Sequence, residues 1–412
     1  MHRSAWRLFT EQGVESQLYV LVFVALVFSG SRFVGLFPYL LLVSIGLLLM
    51  MCITPFERVG GYVNTRYLPQ LMLLLVFTAF LAWQTPIAYE SSITLTYARR
   101  FLMFSPLLFL LPKPEVAALA IKGAKYFSLA VALSILGAAA IGGGKTGGIL
   151  GSYHQGGMMM SIACLLFLID YYLEGGRPID IVGAGLAAAG VFVSGKRMFA
   201  LMVIAGFVLL HVLTRKRAGA AGSGKLVALG ALMVGVMYAF VEPMRTLVER
   251  MTLFGQGGFV ATSGRSELWA HATDIFSANT LTGIGFGNFE VYIAENVQLV
   301  EARAFLTHNI YYGLLAETGV VGLGLILIVM AISLIQSMRL LRLVTPLEDG
   351  LLFYVMVFSV AMQLWFIVYG LTGNGIYDWH ESYFYLAALA MMLSVNMRMV
   401  GDPARPLAPD AG

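Results

Sequence analysis

The sequence predicts an all-α polytopic membrane protein of about twelve transmembrane helices, with one large outward loop containing amphipathic helices. Three observations predict it. Apolar runs of the roughly 20 residues needed to span a bilayer recur from end to end. Only 12% of the 412 residues are charged, against 59% hydrophobic, where a soluble domain carries about 25% charge. One long segment, from Glu242 to about Thr307, breaks an otherwise regular alternation of apolar runs and short connections. Mean hydropathy is +0.82.

Taken in order, the apolar runs place helices near Leu18–Gly35, Phe37–Ile53, Leu68–Trp83, Leu95–Leu111, Ala124–Ile141 and His154–Leu173. Six more fall near Ile179–Val193, Met198–Leu213, Leu226–Val241, Val320–Ser337, Leu351–Leu371 and Ser382–Met397. The first run is read as a retained span, because Ser29-Gly30-Ser31-Arg32 is a poor cleavage site and a second run follows at once. With both termini inside, the inner connections hold 16 of the 26 lysines and arginines, the asymmetry expected of cytoplasmic loops. The expected divisions are residues 1–242 (nine spans), 243–318 (the outer loop) and 319–412 (three spans and a tail).

Composition excludes several functions. A net charge of +4, dispersed among short loops, is no nucleic-acid footprint. Cys52 and Cys164 lie in separate apolar runs, with neither a disulfide pattern nor metal-ligand spacing. Gly142-Gly143-Gly144-Lys145-Thr146 fails as a phosphate-binding loop because Ala139 stands where its first glycine belongs. Gly283-Ile284-Gly285-Phe286-Gly287 lacks the third spacing of a dinucleotide fingerprint. There is no HExxH and no DxD. No metal and no cofactor is expected.

Within the outer loop, Leu268, Trp269, Ala272, Ile275 and Phe276 recur at helical spacing and predict an amphipathic helix, with Ser263 as its N-cap. Arg265 falls in its first turn. A cation there opposes the helix dipole unless an anion bridges the two, and phosphate would do so; an ordinary solvated arginine is the other reading. Lys196 and Arg197 form a basic pair on the outward side, and Arg99 and Arg100 repeat the pattern near the outer end of the fourth span. Either they snorkel to lipid headgroups or they bind an anion. His308, in Thr307-His308-Asn309-Ile310-Tyr311-Tyr312, sits at the mouth of the bundle as a general base or as a helix-start histidine. His380 and Tyr311 are second-tier candidates, His380 having neighbours that suit an interfacial aromatic belt.

Together these stretches resemble the O-antigen ligase and polymerase superfamily. Gly264-Arg265-Ser266-Glu267-Leu268-Trp269 is similar to its GR..LW segment. Asn279-Thr280-Leu281-Thr282-Gly283-Ile284-Gly285-Phe286-Gly287-Asn288-Phe289 is similar to its GxGxGxF segment. His308-Asn309 running into Glu317-Thr318-Gly319-Val320-Val321-Gly322-Leu323 is similar to its HN….E.G..GL segment. Ser194-Gly195-Lys196-Arg197 and Gly151-Ser152-Tyr153-His154 look like two further elements, so the likeness covers about 151–323. The departures are Thr280 for a common proline and Lys196 beside the arginine. The resemblance implies a GT-C-like glycosyltransferase of the bacterial inner membrane, its site facing the periplasm. It implies an undecaprenyl-diphosphate-linked glycan as donor and lipid A-core as acceptor. Arg197 and Arg265 would hold the diphosphate, with Lys196, Arg99 and Arg100 as further ligands, and His308 would activate the acceptor hydroxyl. A single outer loop favours ligase over polymerase; a polytopic lipid or solute transporter is the reading from another class.

Overall fold

The computed structural model describes residues 68–104, 113–142, 146–150, 152–173, 176–214, 265–297, 306–345, 349–377 and 379–400. The spans expected at Leu18–Gly35, Phe37–Ile53 and Leu226–Val241, and the cap at Ser263, lie outside the described residues, as do the side chains of Arg197 and His380.

Every regular element among the described residues is helical. They are α1 (Leu68–Gln84), α2 (Ser91–Phe104), α3 (Pro114–Gly142), α4 (Tyr153–Leu173), α5 (Pro178–Ser194) and α6 (Arg197–Thr214), then α7 (Arg265–Ala278), α8 (Phe289–Asn296), α9 (Ile310–Leu343), α10 (Gly350–Tyr369) and α11 (Trp379–Val400). Four of them, α3, α4, α9 and α10, are long and apolar enough to cross a membrane, which makes the chain a multi-pass membrane protein. Helix ends follow local chemistry. Pro178 opens α5, where the missing N–H costs nothing. Gly195 closes it in the left-handed conformation at φ 66°, and α6 begins two residues later.

Two elements start earlier than hydropathy indicates. Helix α3 begins at Pro114 rather than near Ala124, because Glu115, Lys122 and Lys125 dilute the apolar signal of its first turns without breaking the helix. Helix α9 begins at Ile310 rather than Val320, but its backbone breaks at Gly319 (φ 61°, ψ −163°). The apolar run therefore starts where the second, straight part of the helix starts.

Helix α4 is the axle of the bundle. Every residue from Gly156 to Asp170 is buried, the pattern of a helix enclosed on all sides, and α3, α5, α6 and α10 pack around it. At the end of α4 remote from His154 lies a buried ionic cluster. Lys125 on α3 binds Asp170 and also Asp180 (3.0 Å), both carboxylates being fully enclosed. Arg177 reaches Asp180 (3.0 Å) and Asp170 (3.4 Å), and the Tyr354 hydroxyl donates to Asp170 (2.7 Å). Two cations thus balance two anions, the half-exposed Arg177 reaching in to the enclosed Lys125, Asp170 and Asp180, which is what makes burial of those three tolerable. Removing one ammonium leaves an uncompensated carboxylate inside. Lys125→Met is expected to cost about 3–5 kcal/mol, seen as a lowered thermal midpoint of the purified protein in detergent. An unchanged midpoint would contradict the balance.

Candidate functional site

The site is built where α7, the 279–289 loop, the start of α9, the α10–α11 turn and the first turns of α4 and α6 meet. Its framework is the pairing of the glycine-rich loop with the start of α9. The backbone N–H groups of Ile284 and Gly285 donate to the carbonyls of Ala316 (3.1 Å) and Glu317 (2.9 Å). The buried Glu317 carboxylate accepts from the N–H groups of Gly287 and Phe289, both at 2.8 Å. Gln84, at the end of α1, donates to the carbonyls of Thr282 and Glu317 (2.6 Å for the latter) and accepts from the Phe286 N–H at 3.2 Å. Gly283 is obligatory here: its φ is +64°, and a Cβ would stand 2.3 Å from the Glu317 carbonyl carbon. Phe286, fully buried, is wedged between Tyr97, Phe101, Phe77 and Tyr377, stacking on the last at 4.9 Å. Two of the sequence motifs are therefore scaffold, with Glu317 as the clasp between them.

On that scaffold, α7 lays Leu268, Ala272 and Ile275 against Ile284, Phe289, Ile293 and Ala316. The amphipathic face expected from the sequence is the buried face, with Trp269 and Phe276 half-buried at its margins. Trp269 stands one turn after Arg265. Its indole stacks on Tyr312 (5.4 Å, 6° between planes), and its Nε1–H donates to the Thr307 carbonyl at 2.8 Å. The arginine's helix is thereby bonded to the residue that precedes His308.

His308 is held in an unusual conformation, φ +49°, the one described non-glycine residue with positive φ. An L-residue there costs about 1–2 kcal/mol, and the neighbours impose it. Asn309 caps α9, accepting from the N–H groups of Tyr311 (2.9 Å) and Tyr312 (3.2 Å) and donating to the Leu371 carbonyl (3.1 Å). Ile310 N–H donates to the Gly370 carbonyl at 2.9 Å. The imidazole is turned to Asn374, whose amide lies 3.5 Å from Nδ1. Burial holds its pKa down, to about 4, with help from the charges of Arg265, Lys196 and His154. Arg265 on α7, Lys196 at the α5–α6 turn and His154 on α4 are thus near enough to bear on one imidazole.

The other expected residues divide. Lys196 lies 5.1 Å over the Tyr153 ring, beside His154 in the chain. Arg197 opens α6 by its backbone. Arg99 is exposed, and Arg100, 5.0 Å over the Tyr97 ring, lines a separate crevice with Tyr377, Ser382 and Leu386; neither is among the cations acting on His308. The Tyr311 hydroxyl donates to the Ile367 carbonyl at 2.8 Å, tying α9 to α10.

Sequence reasoning passed over His154, Tyr369, Asn374 and Glu381. His154 Nε2 is 3.2 Å from the Tyr369 hydroxyl and 3.7 Å from Glu381 Oε1, the latter side chain 1% exposed. Its ring packs on Phe199 at 5.2 Å. The available signal was a carboxylate at the start of an apolar helix, where burial demands a partner; which partner depends on the fold.

A family model described as O-antigen ligase matches residues 182–327. No curated protein matches the chain.

Proposed function

We propose, on the family-model match over residues 182–327, that the chain is an O-antigen ligase, an inverting glycosyltransferase that moves a glycan from undecaprenyl diphosphate onto a sugar hydroxyl of lipid A-core at the periplasmic face of the inner membrane. The observation that supports this reading is that Trp269 bonds the helix of Arg265 to the carbonyl of Thr307, next to His308, at 2.8 Å, near enough for the charges of Arg265 and Lys196 to bear on the imidazole.

The roles follow from charge and geometry. The acceptor oxygen attacks the anomeric carbon while the bond from that carbon to the diphosphate oxygen breaks, and the acceptor proton passes to His308. A single displacement inverts the anomeric centre. Arg265, Lys196 and Arg197 neutralise the charge that gathers on the departing diphosphate; the exposed Arg99 and Arg100, in its separate crevice, are assigned to the anionic groups of a lipid rather than to the transferred bond. With its oxygen turned to Nδ1–H, Asn374 would leave the Nε2 lone pair for the acceptor proton, the amide orientation being an assignment. The cations supply the neutralisation that a divalent metal gives other transferases, so the reaction is proposed to be metal-independent.

The test is transfer by the purified protein from a defined lipid-linked donor to lipid A-core in the presence of a chelator. Product with inverted linkage supports the ligase. Extension of one lipid-linked glycan by another, with the core left bare, would make the protein the polymerase instead. Turnover that depends on added divalent metal would contradict the arginine mechanism.

A further inference from the structure

Helix α9 has one exposed face, and it is apolar for the thickness of a bilayer. Val320, Leu327, Ile328 and Ile335 stand exposed at helical spacing, while Ile326, Val329, Met330 and Ser333 on the other face are buried. The exposed face turns basic at Arg339 and Arg342. From Val320 to Arg339 the straight part of α9 rises about 30 Å, the depth of a hydrocarbon core. Helix α1 runs beside it in the opposite direction, with Gln70 bonded to Gln336 (2.5 Å) and Gln84 to the Glu317 carbonyl (2.6 Å). It shows Met72, Val76 and Trp83 on an exposed face of its own.

This apolar surface does not stop where the straight helix stops. At the end remote from Arg339 and Arg342, Trp83, Ile87 and Leu281 are 58%, 57% and 66% exposed. Leu281 belongs to the glycine-rich loop. The carbonyls of Thr280 and Leu281 accept the N–H groups of Val320 (2.9 Å) and Val321 (3.3 Å), and Gln84 donates to the Thr282 carbonyl. The backbone of the loop is thus fixed to both helices at the level where the exposed face of α9 begins, and the leucine side chain is left outside the packing. We propose that Leu281, with Trp83 and Ile87, is seated in the lipid interface at that end of the span and anchors the glycine-rich loop to the bilayer.

Lipid is the occupant because the patch is continuous with an exposed apolar face of membrane-spanning length on α9, and with that of α1. Water would leave these large side chains uncovered. An interface accepts the leucine and isoleucine on its apolar side and the indole, with its N–H, at the headgroups. The anchor also fixes a height. Its loop continues into Ile284 and Gly285, which are bonded to Ala316 and Glu317, and α7 rests on Ile284 and Phe289. Holding Leu281 at the interface holds the framework of the site at headgroup depth, whatever chemistry is performed there.

The measurement is fluorescence quenching in nanodiscs whose phospholipids carry bromine either high or low on the acyl chain. A bimane label is attached to the full-length protein at Leu281→Cys, at Ile328→Cys in the middle of the exposed face, or at Asp274→Cys, whose native side chain is 80% exposed on α7. The signal of the unsubstituted protein, which has Cys52 and Cys164, is subtracted. Bromine near the headgroup is expected to quench the label at 281 about twofold or more, and bromine deep in the chain to quench best at 328, with the label at 274 open to aqueous iodide instead. All three positions are exposed, so the substitutions leave the core intact. A label at 281 that bromine quenches no more than at 274, and that iodide reaches as well, puts the loop in water and overturns the anchor. A label at 281 shielded from both quenchers gives the patch to protein rather than lipid and overturns it equally; cross-linking between cysteines at 281 would then identify a second copy as the occupant.

Discussion

His308→Ala is expected to lower turnover by about 10²–10⁴-fold, the range of a lost general base, while lipid-diphosphate binding stays within a few-fold of wild type. The separation follows from position. The imidazole is bonded to Asn374 and surrounded by the cations, not paired with an anion of its own; deleting it leaves the donor's ligands standing. The variant keeps the strained backbone, since alanine bears φ +49° no more easily than histidine and the bonds of Asn309 and Ile310 still impose the angle. A glycine at 308 accepts that angle and serves as the control: His308→Gly should be as inactive as the alanine variant and at least as stable. Single-turnover kinetics with labelled donor, alongside equilibrium binding, check both. Full activity in either variant would remove the base from the mechanism.

Arg265→Gln is expected to reduce kcat/KM by about 10²–10³-fold, as loss of one preorganised donor to a developing oxyanion does. It should also change the pH profile in a way that a merely structural loss would not. A base works when unprotonated, so the acid limb of kcat/KM reports its proton affinity in the free enzyme. In wild type that limb is expected near pH 4, because burial first, and then the charges of Arg265, Lys196 and His154, disfavour the imidazolium. Without the Arg265 charge the imidazole binds its proton more readily, so the limb moves to higher pH. By the same logic a bound diphosphate cancels the cations, and the limb of kcat in wild type should lie above that of kcat/KM. Bound donor would thereby strengthen the base that takes the acceptor's proton. A limb unmoved by Arg265→Gln would separate that residue from His308.

How much of this was legible beforehand is clearest residue by residue. Helix α7 was readable because Leu268, Ala272 and Ile275 recur on one face, and the structure buries those three. The start of α9 was not, because Glu317 and Thr318 interrupt the apolar run, and the bonds of Glu317 to the 283–289 loop and of Thr318 to the Leu314 carbonyl make burial there acceptable. The motifs did not sort their members' jobs: Gly283 and Glu317 join the glycine-rich loop to the start of α9, and Gly319 breaks that helix, whereas Arg265 and His308 lie beside this framework rather than in it. His154 and Glu381 stand 227 positions apart in the chain, and no periodicity links two residues that meet only through the packing of α4 against α10 and α11.

The Gln84 clasp has a consequence for how the protein comes into being. Its partners Thr282 and Glu317 lie 198 and 233 residues further along. At ribosomal speeds of about 5–20 residues per second, this amide waits on the order of 10–50 s for them. The nascent chain can insert its early helices in that interval, but the Gln84 amide has no partner at position 317 until α9 emerges. Translation products that stop before α9 therefore lack the bonds that fix the glycine-rich loop.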